Sequence, residues 1–350
     1  MSFMFEEIQQ QPEAVQRTVH GERTRLARVA EEIRRRDPTL VLIAARGTSD
    51  NAATYAKYLW GIGNSLPIAL AAPALTTLYD ATPRLRNALV VGISQSGEST
   101  DIVAVVRAAR AQGAFTLAVT SAESSTLAAS ADETALCHSG AERSVAATKT
   151  YTTQLAVLCL LSALLSGDAA LLAALEAVPQ AMARVLEGAA GIAEWAEAYR
   201  HMGACAVLGR GLNYCTALET ALKMKETSYV VADPYSAADF QHGPIAIVDA
   251  GFPTLLFAPP GRTHADMRRL ADDLRARGAE TLVFSSEQEV LDAAAAPLPL
   301  PPAVADGIAG EAVSPLIYTV AGQLFAHALC RAKGLDPDHP RGLKKVTLTL

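Results

Sequence analysis

Leu40-Val-Leu-Ile-Ala-Ala45 runs straight into Arg46-Gly47-Thr48-Ser49, with a stretch of helical character from Asp50 to Trp60 behind it. A short apolar run that ends in a turn of small residues reads as a buried strand, and the whole as the opening of a β–α unit. The same order returns at Leu89-Val-Val-Gly-Ile93, followed by Ser94-Gln-Ser-Gly-Glu-Ser99 and a helix through Arg110. It starts again at Thr116-Leu-Ala-Val119. Strands alternating with helices imply a mostly parallel sheet flanked by helices. The expected fold class is α/β, doubly wound and flavodoxin-like.

The pattern occurs twice. Arg46-Gly47 after a strand recurs as Arg210-Gly211 after Ala204-Cys-Ala-Val-Leu208, an offset of 164 (210 minus 46). Gly97 recurs as Gly261, again 164 residues on, and Arg110-Ala-Gln-Gly-Ala-Phe-Thr-Leu117 aligns with Arg275-Ala-Arg-Gly-Ala-Glu-Thr-Leu282 at 165. Three markers at one period point to two copies of one α/β domain. Residues 1–36 are expected to be a helical segment, with one helix over 5–36 that stops at Asp37-Pro38. A first domain then covers 37–165, a helical connection 166–199, a second domain 200–335, and a tail 336–350 lies outside both copies.

Composition narrows the function. The chain has 350 residues, half of them apolar, and a formal charge of -6. It has no basic stripe, which argues against nucleic acid or an anionic membrane as partner. The longest apolar run, Leu155 to Leu165, is shorter than the ~20 residues of a membrane span. The five cysteines are scattered, with no CxxC pair and no cluster with His, so they read as reduced core thiols and offer no metal set. An acidic, polar start, MSFMFEEIQQQPEAV, is unlike a signal peptide, and the expected location is the cytoplasm.

Ser94-Gln-Ser-Gly-Glu-Ser99, with Thr100, places hydroxyls and backbone N–H groups on a strand-to-helix turn, an arrangement suited to a phosphate. No GxxxxGK[ST] occurs, so a monophosphate fits better than a nucleoside triphosphate. An ordinary N-cap cluster is the plainer alternative. Thr48 and Ser49, at the tip of the first strand, would face the same crevice, or are simply the capping hydroxyls of a β–α turn. In the second copy, Glu219, Lys223 and Glu226 share one helix face, where carboxylate and ammonium can tune each other. A solvated salt-bridge ladder is the alternative there. Nearby Asp239-Phe-Gln-His242-Gly-Pro244 sets an imidazole on a rigid loop, suited to opening a sugar ring or shuttling protons, with a structural loop histidine as the plainer alternative. The tail Asp336-Pro-Asp-His-Pro-Arg341-Gly-Leu-Lys344-Lys345 is too rich in Pro for a helix. Its lysines are either a solvated end or a reactive amine carried into a pocket.

Taken together, RGTSDN at 46–51, GISQSGES at 92–99, ERSVAATKTYTTQL at 142–155, LGRGLNYCTALETALKMKETSY at 208–229, FQHGP at 240–244 and DPDHPRGLKKVT at 336–347 resemble the tandem sugar isomerase (SIS) domain proteins. Within that family the likeness is to the isomerase part of glucosamine-6-phosphate synthase. The resemblance implies two SIS domains, 37–165 and 200–335, and an amino-sugar phosphate substrate. Carried over residue by residue, the phosphate site falls on Ser94, Gln95, Ser96 and Ser99, with Ser49 and Thr48. The proton-transferring carboxylate falls on Glu226 with Lys223 beside it, the ring-opening imidazole on His242, and the tail lysine on Lys345. Val145 and Ala146 fall on a loop that lines the sugar. In the family the imidazole comes from the partner subunit, which implies a homodimer with composite sites. No metal and no cofactor is implied.

The resemblance also has departures. The chain begins Met1-Ser2-Phe3 with no room before Leu40 for the synthase's glutaminase domain, so glutamine hydrolysis is not expected of it. The tail's Gly342-Leu-Lys344-Lys345-Val346 is closer to stand-alone SIS-type glucosamine-6-phosphate deaminases, and register favours Lys345 over Lys344. Deamination of glucosamine 6-phosphate is the expected activity. The same isomerase run toward synthesis, a fructosamine-phosphate deglycase and a non-catalytic sugar-phosphate sensor are the alternatives.

Overall fold

Leu40–Ala44 (β1) and Ala88–Ile93 (β3) carry almost no polar side chain and become neighbouring parallel strands buried on both faces. In the computed structural model, which describes residues 2–345, they are joined by Ile68–Leu70 (β2), Phe115–Thr120 (β4) and Glu133–Leu136 (β5). The sheet is parallel throughout, in the order β2-β1-β3-β4-β5. A second parallel sheet follows from Ala204–Gly209 (β6), Val231–Ser236 (β7), Pro253–Phe257 (β8), Glu280–Ser285 (β9) and Ala296–Pro299 (β10). Its order, β7-β6-β8-β9-β10, repeats the first. The starts of β6, β8 and β9 lie 164, 165 and 165 residues after those of β1, β3 and β4, matching the period in the sequence (204 minus 40, 253 minus 88, 280 minus 115). Each copy is thus an α/β doubly wound sheet, as expected.

Four edge strands carried no clear signal. β2 has three half-buried residues, and β5 mixes exposed with buried positions. β7 contains Pro234 and reaches the sheet only as an edge strand, the position proline tolerates. β10 has two prolines among its four residues.

By their packing the residues fall into two units. The first unit holds Glu13–Glu142, Lys149–Glu176 and the chain from Lys344; the second holds the N-terminal stretch to Pro12, Arg143–Thr148 and Ala177–Leu343. Residues 346–350 of the tail lie outside the described residues. In the first unit, Leu42, Val90, Ile102, Val106, Ala118 and Leu127 form the core between sheet and helices. In the second, Leu208, Phe240, Leu256, Met267, Leu270 and Val283 do the same.

The expected single helix over 5–36 is two helices, Phe3–Gln9 and Gln11–Arg36. The cause is Pro12, which has no N–H for the carbonyl of Ile8 four residues back. The Gln11 side chain donates to that carbonyl instead, at 3.2 Å. The helical connection expected over 166–199 is two helices, Ala169–Glu187 and Ala189–Ala198, preceded by the helix Lys149–Ser166. Ala169–Glu187 and Gly307–Ala332 are long and apolar enough to cross a membrane by composition. The second of these is 89% buried over its most apolar window, so its apolar surface is spent on protein. There it packs on the Tyr214–Ser228 helix, with Gly322 close against Thr220. A methyl at Gly322 would sit 2.1 Å from Thr220 Oγ1.

Candidate functional site

In a doubly wound sheet the crevice lies beyond the carboxyl ends of the two strands where the chain reverses its winding, here β1 and β3. Thr48 and Ser49 start the helix Thr48–Asn64 directly after β1, and Ser94 to Ser99 link β3 to the helix Thr100–Ala111. Sequence periodicity therefore carries the hydroxyls to the mouth of the first sheet. Hydrogen bonds hold the turn in shape. Ser94 N donates to Val119 O at 3.0 Å, and Gly97 N donates to Ser94 Oγ at 3.2 Å. The carbonyl of Gln95 accepts Ser121 N–H and the Thr120 hydroxyl.

Gly97 has φ +69° and lies against Ser125, leaving no room for a Cβ. Ser94 and Ser99 hydroxyls pair at 3.1 Å. When Ser94 donates to Ser99, the Ser99 proton is released toward an incoming anion, and the positive end of the following helix adds to the attraction. Ser96 Oγ accepts Glu98 N–H, which leaves its own proton to donate. Glu98 takes both the N–H and the hydroxyl of Thr126, and these bonds hold its carboxyl below the usual range. Ser49 Oγ accepts from the buried amide of Gln154 on the Lys149–Ser166 helix. Arg46 Nε donates to buried Asp101 at 2.8 Å, tying the β1 turn to the helix that follows the Ser94–Ser99 turn.

The counterpart turn of the second sheet is differently filled. After β8, Arg262 N donates to Glu311 Oε2 at 3.0 Å, so the protein's own carboxylate occupies the place that hydroxyls line in the first copy. The two copies share a frame, and the first lines this turn with hydroxyls where the second fills it with Glu311.

In the second unit, the helix Tyr214–Ser228 aligns Glu219, Lys223 and Glu226 on one face, as their spacing of four and three requires. They are not a solvated ladder. Glu219 and Lys223 are fully buried, and Lys223 Nζ lies 2.6 Å from Glu226 Oε2 and 3.5 Å from Glu219 Oε1. Glu226 alone keeps a side chain 23% exposed. The result is a buried ammonium between two carboxylates with one carboxylate open, a geometry that can hold and release a proton. His242 ends the short helix Ala237–Gln241, is exposed, and precedes Gly243 and Pro244. No hydrogen bond joins it to Glu226 among the described residues.

Ala146 is buried and Val145 half-buried in the segment Arg143–Thr148, whose backbone is fixed by buried Glu7. The Gln323 amide also donates to Thr148 O at 3.4 Å. In the tail, Asp338 accepts the N–H groups of Phe3 and Met4, and Arg341 stacks on Tyr229 with its guanidinium carbon 3.6 Å from the ring centre. Lys345, in the first unit, pairs with Glu142 Oε2 at 2.9 Å, while Lys344 is exposed. Glu142 and Gln154 escaped attention in the sequence although both lie in the ERSVAATKTYTTQL stretch, because their roles come from partners 203 and 105 residues away. The five cysteines are buried free thiols, and burial pushes Cys137, Cys159 and Cys205 up to about 12. No cluster of His, Cys, Asp and Glu suited to a metal ion occurs among the described residues.

The SIS domain family matches residues 36–164 and 200–296, one segment on each sheet. The glutamine–fructose-6-phosphate aminotransferase [isomerizing] of Thermococcus kodakarensis is 35% identical over 353 residues, covering 98% of this chain and 57% of that protein. The chain thus spans little more than half the length of the curated relatives it matches. The C-terminal domain of glucosamine-fructose-6-phosphate aminotransferase from Francisella tularensis superposes with a TM-score of 0.85 at 27% identity, over 97% of this chain and 98% of that one. Glucosamine-6-phosphate deaminase from Thermotoga maritima has the same fold, with a TM-score of 0.81 at 20% identity over 99% and 100%. Two matched segments on two like sheets, with the homology running along nearly the whole chain, establish that it belongs to the SIS domain family.

Proposed function

We propose that the chain is an amino-sugar phosphate isomerase acting as a glucosamine-6-phosphate deaminase, converting glucosamine 6-phosphate and water to fructose 6-phosphate and ammonia. The observation that carries this reading is the buried Glu219, Lys223, Glu226 chain with its one open carboxylate. A module that only senses a sugar phosphate needs the anion turn and has no use for a buried base. In the proposed reaction the phosphate is held by Ser94, Gln95, Ser96 and Ser99 with Ser49 and Thr48. His242 opens the ring, and Glu226 takes the proton from C2 and returns it to C1. The resulting ketimine at C2 adds water and expels ammonia. Lys345 polarises the open-chain carbonyl, and Val145 and Ala146 line the sugar. Ring opening, the C2-to-C1 proton shift, water addition and loss of ammonia all run on acid and base catalysis, so a placed base, acid and phosphate handle suffice.

We further propose that His242, which is exposed, serves the site of a partner subunit in a homodimer, as the resemblance to the family implies. The buried free thiols fit a reducing compartment, which supports a cytoplasmic location.

Ammonia release by the purified protein, measured on a panel of amino-sugar and fructosamine phosphates, tests the reading. Release from glucosamine 6-phosphate with formation of fructose 6-phosphate is expected. Release only from a fructosamine phosphate would make it a deglycase, and binding without release a sensor. The 35% identity to an aminotransferase favours a second reading, the same site run toward synthesis. Formation of glucosamine 6-phosphate from fructose 6-phosphate and ammonium, in excess over the reverse rate, would support that direction.

A further inference from the structure

We infer that Glu142 is a positioning residue that holds the tail lysine at a set place relative to the phosphate turn. The role given to Lys345 rests on the function proposed above; the tether itself rests on geometry within the first unit. The Glu142 side chain is fully buried, with Lys345 Nζ 2.9 Å from its Oε2. Its Oε1 accepts the N–H of Thr150, at 3.1 Å, in the first turn of the Lys149–Ser166 helix. Four residues on, and so on the same face of that helix, Gln154 donates to Ser49 Oγ at 3.0 Å. The anchor of the lysine and the anchor of the β1 turn are therefore one helical turn apart, about 6 Å along the axis.

This arrangement separates two adjacent lysines. Lys345 is drawn in by a carboxylate that burial would leave costly if unpaired, and Lys344 stays exposed with no partner among the described residues. A long, flexible side chain held by a charge-assisted bond loses most of its rotamer freedom before the substrate arrives, so its amine meets the sugar already placed. Glu142 touches no substrate in this scheme; it acts through Lys345.

Two measurements test the inference. The first is limited amine labelling followed by peptide mass spectrometry, which compares Lys345 with its exposed neighbour Lys344. In the unmodified protein Lys345 should label more slowly. In Glu142→Gln, which keeps an acceptor for Thr150 N–H and loses the charge, the two rates should converge. Unchanged protection of Lys345 in that variant overturns the tether. This readout needs no enzymatic activity, so it decides the tether even if no sugar phosphate is turned over and the proposed function fails.

The second measurement is kinetic. Glu142→Gln should lower kcat on glucosamine 6-phosphate by about ten- to a hundredfold, the weight of a lost charge-assisted hydrogen bond, with KM nearly unchanged. Glu142→Asp should recover part of the rate. In a Lys345→Met background the Glu142→Gln change should cost nothing further, since its effect runs through the missing amine. A full multiplicative loss in the double variant, or a wild-type kcat in Glu142→Gln, would show that Glu142 serves only the helix. If Glu142→Gln does not fold, Glu142→Asp carries the labelling comparison, with faster labelling of Lys345 expected and unchanged labelling contrary.

Discussion

Gly97→Ala probes the proposed phosphate turn without removing any of its hydroxyls. At φ +69° a residue with a Cβ costs about 1–2 kcal/mol in the left-handed region. The new methyl would also lie 2.2 Å from Ser125 Oγ and 2.4 Å from Ser125 Cβ. Ser125 cannot simply turn away, because its hydroxyl accepts Ala128 N–H and caps the helix Thr126–Ser130; losing that cap costs about 1 kcal/mol. The two together come to about 2–3 kcal/mol, to be met by unfolding sooner or by reshaping the turn. At roughly 2–4 °C per kcal/mol for a domain of this size, Tm should fall by several degrees.

Reshaping withdraws the turn's donors from the phosphate. Each charge-assisted bond lost is worth about 1.5–3 kcal/mol, so KM for glucosamine 6-phosphate should rise about ten- to a hundredfold while kcat changes little. Calorimetry and steady-state ammonia release measure both. Ser125→Gly added to Gly97→Ala removes the collision and leaves the backbone strain, so it should restore part of the Tm and KM. A Gly97→Ala protein with wild-type Tm and wild-type KM would refute the reasoning, since the methyl would then have found space that the turn does not show.

Other outcomes follow from the same geometry. Glu226→Gln keeps the volume of the side chain and loses its basicity, so kcat should fall by about 10²–10⁴-fold with binding nearly intact; in deuterium oxide the unmodified enzyme should wash label into C2 of the amino sugar and the variant should not. A variant that turns over at the wild-type rate would leave Glu226 as the end of a structural ion pair. Mixed Glu226→Gln and His242→Ala subunits should regain part of the activity in hybrid dimers, and no gain after confirmed subunit exchange would assign both residues to one subunit's site. Burial, helped by nearby Arg331, pushes the His327 imidazole down to about 4, where it bonds to the Ser2 hydroxyl and stacks on Phe5. The unfolded chain takes that proton near its ordinary value of 6.5 and the folded chain does not, so stability should be lost as pH falls from 6.5 to 4, by up to about 3 kcal/mol. Denaturant titrations of His327→Gln should show a flatter dependence over that window, and an unchanged slope would mean that other groups set it.

Much of the frame was legible without coordinates. Leu40–Ala44 and Ala88–Ile93 are so uniformly apolar that only a strand buried on both faces accommodates them, and the 164-residue period in turn and strand markers doubles the domain. Hydroxyls at the end of β3 follow from local order in the chain, as does the shared face of Glu219, Lys223 and Glu226, because helical spacing is a short-range property. Edge strands such as β7, with Pro234, were not legible, since their identity comes from a neighbour's hydrogen bonds and not from their own residues.

Burial and long-range pairing were decided by the tertiary structure alone. The spacing of Lys223 is the same whether it is solvated or enclosed, and only the packing of the folded unit makes Glu219, Lys223 and Glu226 a largely buried ion-pair chain instead of a surface ladder. In the same way, register with the family favours Lys345 over Lys344, but only the fold gives Lys345 its carboxylate partner and gives Glu311 the turn after β8. Those assignments depend on which distant carboxylate the folded chain brings within hydrogen-bond reach, 203 residues away for Lys345 and 49 for Arg262, and that is a property of the packed units and not of any segment.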